Sequence, residues 1–279
     1  MSIEQGNIDR TTVNSFGDEW AQFDQSELIN QEWETMFQTY FGIFPWDMVN
    51  ETSEGFDMGC GSGRWAKGVA GRVGKLNCID PSSAALNVAR RNLSEYSNIV
   101  FFEASVDAAP LAEASQDFGY SLGVLHHIPD TQAALASSTK LLKPGAPFLL
   151  YLYYSFDNRP AWFRGVWKMS ELFRAGIKVL PAGVKSIATD ILAALIYWPL
   201  ARFAWCVEKI GINPSAIPVS YYRDKSFYTM RTDSRDRFGT PLEQRFSKAE
   251  ITEMMTQSGL KDIKFSDSEP YWVAYGIKA

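Results

Sequence analysis

The chain has 279 residues, a size that suits one enlarged α/β domain with additions. A hydrophobic fraction of 46% and a mean hydropathy of -0.17 fit a globular protein with a large core. A formal net charge of -5 argues against a general nucleic-acid binder, because such a protein needs a basic face to neutralise phosphates.

The cysteines, the N-terminal sequence and the length of the apolar runs indicate where the protein resides. Cys60, Cys78 and Cys206 have neither metal-site nor disulfide spacing, which indicates reduced thiols. The N-terminal sequence is polar and contains acidic residues, so it does not read as a signal or transit peptide. The strongest apolar run, 191–201, is shorter than the roughly 20 residues that a helix needs to span a bilayer. We therefore expect a cytoplasmic monomer or homodimer with no transmembrane segment, although peripheral membrane contact stays open.

In chain order, aromatic residues at helical spacing first predict a helical cover over residues 1–50. Strands then alternate with helices, which predicts a parallel sheet with right-handed crossovers. The predicted strands cover 55–58, 76–79, 98–102, 118–122 and 148–153, and the helices between them cover 64–70, 81–94 and 128–142.

The alternation stops after residue 154 for about 90 residues. Two apolar helical stretches, 161–173 and 184–209, precede a polar, aromatic segment that ends near residue 241. The α/β pattern then resumes with a helix over 247–258 that opens on a capping box of Ser247 and Glu250, followed by strands at 261–265 and 272–277. We interpret residues 156–244 as a lid inserted at the carboxyl edge of a sheet that residues 51–155 and 245–279 form.

A glycine-rich turn follows the first predicted strand, with the sequence Phe56-Asp57-Met58-Gly59-Cys60-Gly61-Ser62-Gly63. Alternate glycines let the backbone turn sharply and approach a ligand, and we expect the helix after them to present free N–H groups. The spacing differs from the Gly-x-Gly-x-x-Gly of nicotinamide-binding proteins. A carboxylate two residues before the first glycine would repel a pyrophosphate but accept hydrogen bonds from an ammonium group. Spacing and charge both favour S-adenosylmethionine over a dinucleotide.

Asp80 ends the second predicted strand, seventeen residues after Gly63. A carboxylate at this position can accept hydrogen bonds from both hydroxyls of a ribose. Asp before Pro81 is also a common helix opening, so the side chain could instead be an N-cap. Given the glycine turn upstream, we expect ribose binding, with Asp80 and Pro81 in the cofactor site.

Three later segments complete the pattern. They are Phe-Glu-Ala-Ser-Val-Asp-Ala-Ala-Pro-Leu at 102–111, the stretch from Asp117 to Asp130 with its Leu-His-His, and Leu-Leu-Lys-Pro-Gly at 141–145. In this order the glycine turn, Asp80 and these segments resemble the class I S-adenosylmethionine-dependent methyltransferases that act on small molecules. The resemblance covers residues 54–154. It implies a Rossmann-like sheet of seven strands in the order 3-2-1-4-5-7-6, mostly parallel, with helices on both faces and the last strand antiparallel.

The same resemblance implies where the cofactor lies. Residues 57 and 59–63 would flank its methionine end, namely Asp57, Gly59, Cys60, Gly61 and Gly63. Ser105 and Val106 would lie beside the adenine, and Leu122 and Gly123 would line the methyl-transfer region. Many relatives have Asp where Ser105 stands, so a serine hydroxyl would make a weaker contact with the adenine amino group. Among the N-terminal aromatic residues, we expect Trp20 to close over the cofactor.

His126 and His127 are the only histidines, and they follow the fourth predicted strand. Methyl transfer mainly requires an aligned acceptor and the exclusion of water, but an acceptor that starts protonated also needs a base near neutral pKa. Either histidine could be that base, with His127 the first choice, or one could only hold the loop by a hydrogen bond. The strand ends carry no carboxylate cluster, so we predict no metal site.

The insertion contains the candidate acceptor-binding residues. Arginines in it could clamp a carboxylate and aromatic rings could stack on a flat acceptor, or the segment could be a solvated loop with weak ion pairs. The candidates are Tyr221, Tyr222, Arg223, Tyr228 and Arg235. We expect the apolar run at 191–201 to be a buried core helix. An acceptor pocket, a dimer face and a helix resting on a membrane are the alternatives.

Together these observations predict an enzyme that transfers a methyl group from S-adenosylmethionine to a small, partly apolar metabolite. The accepting atom would be O or N, and less readily C or S. The first alternative is an NAD(P)-dependent oxidoreductase, which the glycine spacing and Asp57 disfavour. The second is a non-catalytic interaction module with the same fold, which the intact glycines and Asp80 disfavour. No nucleic-acid partner is expected.

Overall fold

The computed structural model describes residues 6–25 and 27–279, so the first five residues of the predicted N-terminal cover lie outside it. The chain forms two compact units. The first contains the described residues up to Asp24 together with Met36–Ser155 and Leu242–Ala279. The second contains the described residues of Gln25–Thr35 together with Phe156–Pro241.

The first unit is built on one seven-stranded sheet, and the predicted order 3-2-1-4-5-7-6 is confirmed. β7 runs antiparallel to β5 and β6, while the other neighbours are parallel. The strands are β1 (Glu54–Met58), β2 (Lys75–Asp80), β3 (Ile99–Glu103), β4 (Phe118–Leu122), β5 (Pro147–Tyr151), β6 (Leu260–Phe265) and β7 (Val273–Lys278).

Helices precede the first strand, connect the parallel strands and precede β6. In the first unit they are α1 (Arg10–Gln22), α3 (Ala66–Ala70), α4 (Ser83–Asn92), α5 (Thr131–Lys140) and α10 (Lys248–Gln257), and α2 (Asn30–Phe41) contributes residues to both units. The predicted capping box of α10 is confirmed, because Ser247 and Glu250 each bond the backbone N–H of the other.

The central strands read as apolar runs because both of their faces are covered. Between β1 and β4, rings fill the space that glycines leave on the partner strand. Gly55 pairs with Phe118 and Phe56 pairs with Gly119, and a Cβ at either glycine would lie 2.3–2.4 Å from the facing ring. These two glycines leave the room that the two rings occupy between the strands that carry the site.

The aromatic residues of α2 pack in the core of the first unit. Phe37 and Phe41 are 3% and 1% exposed, and the Phe41 ring meets the buried Tyr120 of β4 with centroids 5.2 Å apart. The ring of Phe37 lies so close to Gly68 of α3 that a Cβ there would come within 2.2 Å. The sequence suggested a cover for the cofactor, but these two residues are core.

The second unit is helical and differs most from what the sequence suggested. It holds α6 (Ala161–Ile177), α7 (Ala182–Leu192), α8 (Trp198–Lys209) and α9 (Phe227–Gly239), with a π-helical turn, Ala193–Tyr197, joining α7 to α8. The π turn lets the helix pass Pro199, which lies in the first turn of α8 where a missing N–H is tolerated. The sequence had not predicted α9.

The prediction of a buried core helix at 191–201 is wrong. The side chains of Ile191 and Leu195 are 51% and 71% exposed. The continuous helix Ala182–Lys209 is also much longer than the apolar run, since it spans 28 residues. By length and composition alone it could cross a membrane, a criterion that soluble core helices also meet.

Candidate functional site

The glycine turn after β1 has the backbone that its sequence requires. Gly59, Gly61 and Gly63 have φ values of +81°, +53° and +80°, in the left-handed region that favours glycine. Space is also limiting, because a Cβ at Gly59 would lie 2.4 Å from Val124 and one at Gly63 would lie 2.6 Å from Leu93. The turn therefore depends on glycine both for its conformation and for its neighbours.

Most N–H groups of this turn are already bonded inside the protein. Those of Gly59 and Cys60 donate to the carbonyl oxygen of Ile79 in β2, and that of Gly63 donates to the carbonyl oxygen of Cys60. The N–H of Gly61 donates to a side chain that is described next. Four of the five N–H groups of the turn are therefore taken, and the turn itself is a poor cradle for a diphosphate.

Asp80, at the end of β2, clamps the turn from the neighbouring strand. Its Oδ2 accepts from the Gly61 N–H at 2.9 Å, and its Oδ1 accepts from the Ser82 N–H at 2.9 Å. The N-cap of α4 is Ser82, whose hydroxyl accepts from Ala85. The helix-cap interpretation of Asp80 is thus wrong. Each of its oxygens keeps a further lone pair with which to accept a ligand hydroxyl.

Burial changes the ionisation of both carboxyl groups at these strand ends. It raises the pKa of Asp57 to about 8, to which the nearby Asp80 adds, while the Tyr120 hydroxyl acts in the opposite direction. It raises the pKa of Asp80 to about 6, against the two backbone N–H donors. Within residues 6–25 and 27–279, no basic side chain forms an ion pair with either carboxyl. The site thus holds two buried acids whose charge the protein does not balance.

Helix α1 lies over the glycine turn within the first unit. Gly17 lets it approach α4, since a Cβ there would lie 2.9 Å from the Ser82 hydroxyl. Three residues later, Trp20 contacts Gly61, and a Cβ at Gly61 would lie 3.0 Å from the indole nitrogen. The Arg64 guanidinium lies 5.5 Å from the Trp20 ring centroid. The structure thus brings Trp20 together with the turn, as the sequence suggested.

Ser105 stands next to β3 with its hydroxyl already engaged. It donates to Oδ1 of Asp107 at 2.6 Å, and this bond contributes most to lowering the pKa of that carboxyl. Oδ2 of Asp107 accepts from the Asn7 N–H at 3.1 Å. A carboxylate, that of Asp107, thus bonds the side chain at the position where relatives carry Asp. Asp107 was not among the residues predicted from the sequence, because its bonds to Ser105 and Asn7 are visible only in the fold.

The end of β4 leaves room. Leu122 is buried, while a Cβ at Gly123 would meet no atom within 4 Å. Gly123 has a φ of +79° and donates its N–H to the Tyr151 carbonyl oxygen. Gly123 directly follows β4, which pairs with β1, the strand that carries Asp57.

The two histidines have different surroundings. His126 is fully buried, its ring stacks on Tyr153 at 3.9 Å, and burial holds its pKa well below the usual range. Nδ1 of His127 lies 2.7 Å from the Leu242 carbonyl oxygen, which can only accept, so Nδ1 carries the hydrogen. In neutral His127, Nε2 is therefore the nitrogen with the lone pair. The edge of Phe16 meets the same ring at 4.8 Å.

In the second unit the candidate acceptor-binding residues have partners of their own. Arg223 pairs with Glu208 and also donates to the Ser220 carbonyl oxygen. Arg235 is 3% exposed and donates to the Ala182 carbonyl oxygen. The three tyrosines are half-buried: the Tyr228 hydroxyl accepts from the Gln25 N–H, and the rings of Tyr221 and Tyr222 contact each other. Their placement shows structural contacts and leaves acceptor binding as a prediction.

Across the part of the chain that the structure describes, no group of three or more His, Cys, Asp or Glu side chains is arranged to hold a metal ion. The thiols of Cys60 and Cys78 are close enough to interact, and both are buried. Among residues that the sequence did not suggest, Tyr120 stands out because its buried hydroxyl faces Asp57. No sequence motif marks it, since its role follows from the pairing of β1 with β4.

Comparisons with known proteins agree with this geometry. The family described as a methyltransferase domain matches residues 56–150. A ubiquinone biosynthesis O-methyltransferase of Thiobacillus denitrificans is 34% identical, over 53% of this chain and 60% of its own length. One of Acinetobacter baylyi is 30% identical, over 56% of this chain and 72% of its own length. The alignment with the first of these thus spans less than two thirds of that relative.

The fold also has solved counterparts. A Bacillus halodurans protein solved as a candidate methyltransferase superposes with a TM-score of 0.52 and 13% identity, covering 83% of this chain and 72% of its own. At this identity the likeness concerns the fold. With the matched family, the sheet order and the glycine turn, the conclusion follows that this chain belongs to the class I S-adenosylmethionine-dependent methyltransferases.

Proposed function

We propose that this chain transfers the methyl group of S-adenosylmethionine to an oxygen atom of a small, partly apolar acceptor. The observation that carries the cofactor assignment is the pair of buried acids, Asp57 and Asp80, at a turn whose N–H groups are mostly taken. Such a site lacks balancing positive charge and offers little to a phosphate. A nucleoside that carries an ammonium and a sulfonium supplies the charge, whereas a dinucleotide would add negative charge.

The residues fit this cofactor as follows. Asp57 would accept from the ammonium of the methionine end, and Asp80 would accept from the ribose hydroxyls with the lone pairs that its backbone bonds leave. Trp20 would shield the turn from water. Ser105, Val106 and Asp107 would lie on the adenine side, and Leu122 and Gly123 on the side of the reacting methyl. When bound, the cofactor supplies a methyl group activated by positive sulfur.

His127 is the proposed base. Its Nδ1–H is held by the Leu242 carbonyl oxygen, so Nε2 can take the proton of an acceptor hydroxyl as the new bond forms. His126 is proposed to be structural, because it is neutral, fully buried and stacked on Tyr153. An oxygen acceptor is favoured over nitrogen because the named relatives are O-methyltransferases. Tyr221, Tyr222, Arg223, Tyr228 and Arg235 remain candidates for acceptor contact.

Two measurements test the proposal. Isothermal titration of the purified protein should show binding of S-adenosylhomocysteine and none of NAD, because only the former brings an ammonium group to Asp57 and adds no phosphate charge. Incubation with methyl-labelled S-adenosylmethionine and a metabolite extract should then yield labelled products, which mass spectrometry identifies. Binding of NAD in place of S-adenosylhomocysteine would overturn the cofactor assignment. Label found only on nitrogen or carbon would overturn the oxygen acceptor and leave the cofactor assignment standing.

A further inference from the structure

The second unit has an apolar outer surface. Of the nineteen large apolar side chains that are exposed among the described residues, sixteen come from residues 161–212. Along the helix Ala182–Lys209 they recur at helical spacing on one face, with Val184, Ile187, Ile191, Leu195 and Trp198 at 47–71% exposure. α6 carries a second row: Trp162, Val166, Met169 and Phe173. We call these two rows the apolar face.

Charged side chains of the same helices point the other way. Nζ of Lys185 donates to the Gly239 carbonyl oxygen at 3.0 Å, and Asp190 accepts two bonds of 2.9 Å from Arg231. Arg202 donates to the carbonyl oxygens of Arg223 and Lys225. These three charged side chains thus face their own unit, while the apolar face points away from it. A helix of a water-soluble domain has the opposite arrangement.

The interior of the unit holds many polar side chains beside the apolar cluster of Tyr197, Ala201, Met230 and Phe238. α9 is buried through Thr229, Thr232, Ser234 and Arg235. Arg174 of α6 is 6% exposed and donates to the Thr240 carbonyl oxygen at 2.8 Å. Because the polar groups bond one another inside the unit, the apolar face needs no rearrangement to meet an apolar environment.

The surroundings of this face are basic. Residues 161–212 contain seven Lys or Arg and three Asp or Glu, a formal net charge of +4 in a chain whose total is -5. Arg174 and Lys185 of this group are buried, whereas Arg164, Lys168 and Lys209 are exposed, as is Glu208, which pairs with Arg223. Trp162, Trp198 and Trp205 are exposed as well, and tryptophan favours the headgroup level of a bilayer. Hydrocarbon, tryptophan and positive charge together match an anionic lipid surface.

We propose that the apolar face docks on the surface of an anionic lipid bilayer, with α6 and the helix Ala182–Lys209 lying in the plane of the interface. A second copy of the chain fits less well, because a twofold contact would set two basic faces against each other. A crossing of the bilayer by Ala182–Lys209 also fits less well. One side of this helix is already packed, through Tyr197 and Ala201, against Met230 and Phe238. The proposal does not depend on the methyl acceptor.

The test is flotation of the full-length protein with vesicles of phosphatidylcholine, alone or mixed with phosphatidylglycerol. The wild type should float with the mixed vesicles, and less with phosphatidylcholine alone or in high salt, which screens the basic residues. The triple variant Ile187→Glu, Ile191→Glu, Leu195→Glu should lose binding by about tenfold or more, since it places charge in the interface. Ile29→Glu is the matched control, because Ile29 is as exposed as Ile187, at 62% and 63%, but lies outside the apolar face.

Thermal unfolding shows whether each variant is folded, which is expected because the substituted side chains are exposed. Failure of the wild type to bind mixed vesicles would overturn the proposal, as would equal loss in the triple variant and in Ile29→Glu. Light scattering in the absence of lipid tests whether a second copy of the chain covers the apolar face. A stable wild-type dimer that the triple variant converts to a monomer would assign the apolar face to a second copy instead.

Discussion

Replacing Asp57 by Asn tests the unbalanced charge at the glycine turn. Burial raises the pKa of this carboxyl to about 8 from its ordinary 3.8, which it regains on unfolding. Between these values the folded protein holds a proton that the unfolded chain releases, so the free energy of unfolding falls as the pH rises. The slope is at most about 1.4 kcal/mol per pH unit, or about 4 kcal/mol across the three units from pH 4 to pH 7.

The Asp57→Asn variant lacks this contribution because an amide does not ionise. Urea unfolding of both proteins from pH 4 to pH 8, followed by tryptophan fluorescence, measures it. As the pH rises, the free energy of unfolding of the variant should increase relative to that of the wild type, by up to about 4 kcal/mol between pH 4 and pH 7. The difference should level off near the raised pKa of Asp57. A packing cost of the amide would shift the whole curve and leave the slope difference unchanged. Two parallel pH profiles would refute the argument.

The other predictions concern binding and turnover. Asp80→Ala should weaken S-adenosylhomocysteine binding by roughly 1–3 kcal/mol in isothermal titration, and an unchanged affinity would remove the ribose assignment. His127→Ala should lower kcat roughly 100-fold or more with little change in that affinity, whereas full turnover would exclude it as the base. Gly61→Ala should destabilise the fold by about 1–2 kcal/mol through its positive φ and also lower the affinity by displacing Trp20. Gly145→Ala, with φ +85° and open space around it, should show only the loss of stability.

The positions of the strands and the turn were predictable from local sequence, whereas the order of the strands came from the resemblance to the class I methyltransferases. Alternating strands and helices have few ways to close, and the positions of Gly59, Gly61 and Gly63 directly express positive φ values. The partners of Asp80 were less accessible. Asp80 and Ser82 could each cap α4, and they are only two residues apart. Sequence patterns do not locate a helix end that finely.

The second unit was harder to predict because it inverts the usual relation between polarity and burial. α9 carries Arg and Asp at nearly every turn and looks like a solvated loop, yet it is the middle of its unit. The apolar run at 191–201 looks like core, yet Leu195 faces outward. Pro199 lies inside the helical stretch 184–209 that the sequence predicted, and the structure adds a π turn directly before it. The raised pKa of Asp57 likewise depends on its burial and on the nearby Asp80, both of which arise only in the fold.

The clamp that Asp80 places on the glycine turn has a consequence for how fast a ligand is captured. The two backbone bonds hold the turn in its final shape in the free protein, so little conformational entropy remains to be lost on association. Pre-organisation of this kind favours a single-step encounter over one that waits for a loop to fold. Stopped-flow traces of S-adenosylhomocysteine association should therefore be single-exponential, with a rate that rises linearly with ligand concentration.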